Sequence, residues 1–323
     1  MIQLDKAEIL QLLDLEAAAE AVANAYRAAS EGRVTLPPVG HITFPERGAD
    51  CHIKFGHQHG AEVFVVKLAT GFPQNEHTPK NNGLSLVLSA LDGSLQAVLH
   101  DEGHLTDVRT GLGGAIASRA LARPDARSLV IVGTGTQAIQ QIEAHRALLP
   151  QKLHVTLWGR SRAKAERCAA EVGGVAVADE LEAACRSADI LVTTTAAREP
   201  LVLRDWIRPG TQITAVGADA PGKQELTSEL LHAAQCRVAD SFDQCLDHGE
   251  FSALASTERA TVVELGDVLA GRAEGRSTLE DISIADLTGI AAQDIAIAGV
   301  VLDAQRQQES RSVDSDAERP TEP

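Results

Sequence analysis

A glycine-rich turn set between two strand-like runs constrains this chain more than any other feature. The apolar run Leu129-Val130-Ile131-Val132 leads straight into Gly133-Thr134-Gly135-Thr136-Gln137-Ala138. An amphipathic segment follows to about Leu149, and then His154-Val155-Thr156-Leu157-Trp158 reads as a second strand. Glycines at such a turn let the backbone approach a pyrophosphate, which the positive end of the following helix stabilises. A lone G-x-G-x-x-A is weak, but one flanked by strands at βαβ spacing is a much stronger signal. The order predicts a Rossmann dinucleotide-binding domain, with Gly133, Thr134, Gly135, Thr136, Gln137 and Ala138 at the cofactor.

The end of the second strand bears on which dinucleotide. An NAD site usually places Asp or Glu there to bind the ribose 2′-hydroxyl. Here Gly159 is followed by Arg160, Ser161, Arg162 and then Lys164. A 2′-phosphate needs cations and a hydroxyl, so NADP(H) is the preferred cofactor and NAD(H) a possible one. The alternative is a solvated helix start, although cations at a helix N-terminus oppose its macrodipole. Thr195, beyond the strand-like run Ile190 to Thr194, is a further cofactor-binding candidate.

Composition narrows the partners. The 323 residues suffice for two domains, and the chain is 44% hydrophobic but only 3% aromatic, as a core of Ala, Val, Leu and Ile in a buried α/β sheet would be. A net charge of −16 with no long basic run argues against nucleic acid or an anionic membrane as partner. Five cysteines without a C-x-x-C pair read as thiols in a reducing compartment. The N-terminal residues show no basic, apolar leader, and no apolar stretch reaches the roughly 18 residues of a membrane span. A cytoplasmic protein is expected.

Along the chain, residues from Asp5 to about Arg33 show helical periodicity. Strand-like runs follow at Gly40 to Phe44, Cys51 to Phe55, Val63 to Ala69, Leu84 to Ala90 and Leu95 to His100, as in an antiparallel or mixed sheet. A helix is expected from Asp107 to Leu121, α/β alternation after it, and helix again from Ser283 to about Gln305. The predicted class is α/β: an α+β substrate and dimerisation domain over 1–118, completed by a helix at about 291–306, and a Rossmann domain over 119–290. The polar tail 307–323 is expected to be disordered.

Three segments place a reactive side chain beside glycine or at an element end. Lys67 lies in the apolar run Val65 to Ala69 before Thr70-Gly71-Phe72-Pro73; a lysine there is costly unless its ammonium reaches a cleft or partner, or snorkels from an edge strand. In Leu105-Thr106-Asp107-Val108-Arg109-Thr110-Gly111, Thr106 or Asp107 can cap a helix whose first turn carries Arg109. That arginine could fork a carboxylate or form a structural salt bridge, for instance with Asp101 or Glu102. Asp219 follows a strand carboxyl end in Gly217-Ala218-Asp219-Ala220-Pro221-Gly222-Lys223-Gln224-Glu225-Leu226, where α/β sheets bind ligands; it could equally be a turn aspartate.

These segments together resemble the ornithine cyclodeaminase/mu-crystallin family, from the first helix to about Ala304. The resemblance lies in Lys67 to Asn75, Leu105 to Thr110, the glycine turn and Gly217 to Leu226, with Leu287-Thr288-Gly289-Ile290-Ala291-Ala292-Gln293-Asp294 similar to the family's threonine-glycine segment near the nicotinamide. It implies a homodimer using NAD(P)(H) on α-amino or α-imino acids. Carried over by motif, Lys67 and Arg109 bind the substrate carboxylate and polarise the reacting nitrogen. By the same resemblance Asp219 would be the acid/base, and Thr288 and Gly289 would lie near the nicotinamide.

The chain departs from the family in two places. Cyclodeaminases usually carry an arginine shortly after the proline that ends the first helical region, whereas Pro37-Pro38-Val39-Gly40-His41 has none; His41, His52 or Lys54 are candidate replacements. Cyclodeaminases also recycle bound NAD. Both departures favour NADPH-dependent reduction of a small α-imino acid, such as a pyrroline-2-carboxylate or an acyclic one, or the reverse dehydrogenation. The alternatives are an ornithine cyclodeaminase and a low-turnover NADP-dependent binding protein. Lys54 and His41 are assigned to substrate binding, Lys54 as the site for a second carboxylate. His57 and His59 share a strand face, but no complete ligand set accompanies them, so no metal is expected.

Overall fold

The computed structural model describes residues 1–150 and 152–317. In chain order the elements are β1 (Ile2–Asp5), α1 (Lys6–Leu12), α2 (Leu15–Ser30), β2 (Val34–Thr35), β3 (Gly40–Phe44), β4 (Ala49–Gln58), β5 (Val63–Gly71), β6 (Asn81–Ser89), β7 (Leu95–His100) and α3 (His104–Leu121). There follow β8 (Ser128–Val132), α4 (Thr136–Leu148), β9 (His154–Trp158), α5 (Arg162–Val172), β10 (Val175–Val177), α6 (Leu181–Ser187), β11 (Ile190–Thr193), β12 (Gln212–Ala215) and α7 (Ser228–Ala233). The last are β13 (Cys236–Ala239), α8 (Phe242–His248), α9 (Ser256–Arg259), β14 (Val262–Glu264), α10 (Leu265–Leu269), β15 (Ser283–Asp286) and α11 (Ala291–Ala317). They form two compact units: residues 1–22, 34–106 and from 291 onward, and residues 23–33 and 107–290.

The first unit is built on a mixed sheet in the order β1-β7-β6-β5-β4-β2, with β3 also on β4. Among the described residues only the β1–β7 pair of this sheet is parallel; the other ladders are antiparallel. Alternation assigns the faces. Val65, Lys67, Ser85, Val87, Ala97 and Leu99 point inward and are buried, and α11 packs over β4 and β5. Gly56 allows β2 to lie close, since a Cβ there would come within 2.8 Å of the Thr35 carbonyl oxygen. The opposite face carries apolar side chains that stay partly accessible, among them Ile42 (49% exposed), Phe44 (37%) and Phe55 (38%). A capping box starts α1: Asp5 accepts from the Glu8 backbone at 2.9 Å, and Glu8 accepts from the Asp5 backbone at 2.8 Å.

The second unit holds an eight-stranded, wholly parallel sheet in the order β10-β9-β8-β11-β12-β15-β13-β14. The β10-β9-β8-β11-β12 portion is the Rossmann arrangement, with its topological switch point between β8 and β11. β11, β12 and β15 are buried at every position, as strands covered on both faces must be. A buried polar relay ties helices to this sheet. His145 donates from Nδ1 to the Gln141 carbonyl (2.7 Å), so its Nε2 accepts from Ser118 Oγ (2.8 Å), which lies 3.0 Å from Thr214 Oγ1. Burial pushes the His145 imidazole down to about 4, keeping it neutral.

Three expectations need correction. Ser283–Asp286 is a central strand, not the start of a helix; its four residues are too short a run for periodicity to decide, and sheet pairing on both sides decides it instead. The last helix does not end near 306 but runs to Ala317, through a stretch rich in the helix formers Gln, Glu and Arg; residues 318–323 of the expected tail lie outside the described residues. Helix α3 begins at His104, and Asp101 rather than Thr106 or Asp107 serves its first turn, accepting from the Leu105 backbone at 2.8 Å. Among the described residues no helix is long and apolar enough to cross a membrane.

Candidate active site

The glycine turn closes the C-terminal end of β8 and opens α4. Gly133 sits at φ +138°, a conformation that L side chains rarely adopt, and a Cβ there would run into the Thr194 hydroxyl. Thr194 follows β11, and its backbone donates to the Val132 carbonyl at 2.9 Å. The turn therefore occupies the switch point. Gly135 is the N-cap of α4 and no side chain caps the helix, which leaves its first N–H groups available to an anion. At the end of β9, a Cβ on Gly159 would strike the Thr134 side chain. Without Cβ atoms at Gly133 and Gly159 the backbone forms a cradle, and these residues fit a dinucleotide. Arg160, Ser161, Arg162 and Lys164 are all exposed. Arg162 is engaged by Glu166 (2.8 Å) and by Asp179. Thr195 lies beside the turn, its backbone donating to Glu225 at 2.5 Å.

Arg109 is buried (5% exposed) on α3 and its guanidinium packs directly under Gly289, where a Cβ would overlap it. Gly289 adopts φ +78°, so both its backbone and its neighbour require glycine. The loop is held from below by Asp240, which follows β13. Asp240 accepts from the Thr288 backbone and hydroxyl, both at 3.1 Å, and from the Gly289 backbone at 2.6 Å. The Cys245 thiol donates to the same carboxylate at 3.3 Å. Thus Arg109, Thr288 and Gly289, picked out separately in the sequence, form one packed group, and Asp240 is the residue that sequence reasoning missed. Its signal was its place at a strand carboxyl end. At the start of the same helix face, Gln137 donates to Asp107 at 3.1 Å, linking the glycine turn to α3.

Asp219 lies after β12 and is exposed, with Lys223 of the same loop bonded to its carboxylate. Beneath this loop lies a group of buried acids that the sequence did not single out. Glu225 accepts from the Thr193 hydroxyl (2.6 Å), the Thr195 backbone and the Gly217 backbone (2.9 Å). Glu250 accepts in turn from the Glu225 and Leu226 backbones at 2.6 and 3.1 Å. Asp286 accepts from the Phe251 backbone at 2.9 Å. Burial raises all three above the usual carboxylate range; Asp286 is pushed up to about 8, with the Asp240 charge adding to the effect and the Phe251 N–H opposing it. These acids fix the loops that carry Thr195, Asp219 and Thr288.

In the first unit, Lys67 resolves in favour of a partnered, buried ammonium: it donates to Asp294 of α11 at 2.9 Å, and the two side chains are 5% and 4% exposed. Asp294 lies in the first turn of α11, where the helix dipole favours a carboxylate. Burial raises the Asp101 carboxyl, with the backbone N–H groups of Leu105 and Gly103 and, to a lesser degree, the Lys67 charge opposing it. Asp101 accepts from the Leu105 backbone at 2.8 Å, and Glu102 pairs with Lys6 at 3.3 Å. Lys54 stands directly opposite Lys67 in the β4–β5 register. His41 stands opposite His52 in the β3–β4 register, their rings stacked at 4.5 Å, with Asp50 beside both.

The sequence pattern of the ornithine cyclodeaminase/mu-crystallin family matches residues 1–309. The chain is 34% identical to alanine dehydrogenase of Archaeoglobus fulgidus over 306 residues, covering 92% of this chain and 93% of that protein. It is 31% identical to delta(1)-pyrroline-2-carboxylate reductase of Bacillus cereus over 315 residues, covering 92% and 94%. Its fold superposes on an archaeal alanine dehydrogenase dimer with bound NAD at a TM-score of 0.86 and 32% identity, covering 96% of this chain and 97% of that one.

Proposed function

Since this chain belongs to the ornithine cyclodeaminase/mu-crystallin family, whose members include NAD(P)-dependent oxidoreductases and cyclodeaminases, we propose that it reduces a small α-imino acid to the L-amino acid, or runs the reverse dehydrogenation. The observation that carries this reading is Lys67: a buried ammonium on the inward face of the first unit's sheet, paired with the equally buried carboxylate of Asp294. A cation so costly to bury suits an anionic amino-acid substrate. When bound, the nicotinamide cofactor supplies or accepts the hydride at the substrate α-carbon.

The residues divide the remaining work. Lys67 and Arg109 bind the carboxylate and polarise the reacting nitrogen. Asp219 exchanges the proton at that nitrogen, and its ion pair with Lys223 restrains the carboxylate. Thr288 and Gly289, held by Asp240, shape the nicotinamide end. Lys54 takes a second carboxylate where the substrate has one. Arg160, Ser161 and Arg162 favour NADP(H); Arg162 then exchanges Glu166 and Asp179 for the 2′-phosphate, a cheap exchange for exposed pairs. The chain acts as a homodimer joined through the apolar face of the first unit's sheet, where Ile42, Phe44 and Phe55 are accessible.

The test is oxidation of NADPH and of NADH across a panel of cyclic and acyclic imino acids. NADPH oxidation with matching amino-acid formation is expected. Conversion of ornithine to proline and ammonia with catalytic oxidised cofactor and no net NADPH change would show a cyclodeaminase instead. Tight NADPH binding without turnover on any imino acid would show a binding protein.

A further inference from the structure

We propose that His41, Asp50 and His52 form a binding site for one divalent transition cation of the zinc, cobalt or nickel class. The register of the first unit's sheet builds it. His41 of β3 is the direct cross-strand partner of His52 of β4, and Asp50 lies two residues before His52 and so on the same face. His52 Nε2 is 3.5 Å and His41 Nε2 is 3.9 Å from the same oxygen, Asp50 Oδ2. All three donor atoms lie within 4.8 Å of one another. Ligands at zinc bond lengths in a tetrahedron stand roughly 3.3 Å apart, so side-chain rotation closes the set with no change in the backbone.

The surroundings permit that closure. On β5 the residues opposite His52 and Asp50 are Ala69 and Gly71, so no bulky side chain stands on that flank; a Cβ on Gly71 would already come within 3.0 Å of Asp50 Oδ1. His41, Asp50 and His52 are 38%, 43% and 27% exposed, open enough for a cation to enter. Two imidazoles and one carboxylate suit a borderline cation rather than magnesium or calcium, which prefer all-oxygen sites. Three protein ligands leave a position open for water or a ligand. Cys51, between Asp50 and His52 in β4, is buried and points to the opposite face of the strand. His57 and His59, the pair that the sequence brought to notice, are engaged elsewhere, with the Ala61 carbonyl and the Thr35 hydroxyl.

The stripe continues along β4 to Lys54, which faces Lys67 across the ladder. A dication at His41, Asp50 and His52 thus adds positive charge to the face that carries both lysines, beside the stretch that lacks the family's arginine. A role for that charge in holding a substrate carboxylate rests on the imino-acid reading; the metal site does not.

Titration of tag-free, metal-stripped protein with cobalt(II), followed by visible absorption, and with zinc(II), followed calorimetrically, tests the site without any turnover. One equivalent per chain is expected, with the visible bands of ligated cobalt. H41A and H52A each weaken binding by about 100-fold or more, and D50N by about 10-fold. The H57A/H59A double variant keeps the site, and circular dichroism checks that every variant is folded. Absence of stoichiometric uptake, or uptake equal in wild type, H41A and H52A, would overturn the proposal. A protein that binds the metal as described but reduces no imino acid leaves this site standing and removes only its link to substrate.

Discussion

Lys67 and Arg162 are both cations paired with carboxylates, yet they sit in opposite surroundings. Lys67 and Asp294 are almost wholly removed from water, while the Arg162 side chain is 58% exposed between Glu166 and Asp179. Removing one partner of a buried pair costs about 3–5 kcal/mol because the other charge is stranded; an exposed pair is worth about 0–1 kcal/mol. The same ion-pair chemistry therefore differs in what it can do. The buried cation is fixed in advance by the fold, as the proposed substrate role of Lys67 requires. The exposed one can change partners at little cost, as the proposed cofactor role of Arg162 requires.

The largest effect is expected where the cation is fixed. K67M should lower kcat/KM for imino-acid reduction by about 10³-fold and leave Asp294 buried without its cation, so thermal stability should fall too. A kcat/KM within tenfold of wild type would mean that the pair is structural only. D219N should lower kcat by about 10²–10⁴-fold with little change in KM, the pattern of a lost proton transfer; an equal rise in KM with kcat intact would place Asp219 in binding instead. At the cofactor end R160A should raise KM for NADPH by roughly tenfold and leave NADH nearly unchanged, the scale of one exposed phosphate contact. An equal effect on both cofactors would break the contrast.

A separate effect is read in stability and not in turnover. Burial lifts Asp286 from its ordinary 3.8 to about 8, so between those values the fold holds a proton that the unfolded chain has released. Its contribution to stability declines as pH rises through that window and levels off above it. D286N abolishes that slope. The melting temperature of the variant should therefore compare more favourably with wild type at pH 9 than at pH 6, and an unchanged difference would show that Asp286 is ionised throughout.

What the sequence made legible follows from the range of the interactions. The glycine turn, β8 and β9 were readable because their signals are local: backbone conformation at Gly133 and apolar runs at sheet spacing. Lys67 was conspicuous as a cation among apolar residues, but its partner lies 227 residues away on α11 and no local pattern reports that. Asp240, Glu225, Glu250 and Asp286 escaped notice for the opposite reason. Each looks like an ordinary surface acid until the parallel sheet buries it. β15 was misread because a four-residue strand takes its identity from β12 and β13. The His41–Asp50–His52 group depended on the β3–β4 register, which fixes the partners across a ladder but is not written in either strand alone.

In the proposed reaction hydride passes from the nicotinamide to the α-carbon of an imino acid. That transfer is tested most directly with NADPH carrying deuterium at the transferable position of the nicotinamide, a reactive imino acid from the panel, and mass analysis of the product. One deuterium at the α-carbon of the L-amino acid, in proportion to NADPH consumed, is the expected result. Amino acid formed without deuterium, or deuterated cofactor recovered unchanged after turnover, would contradict it.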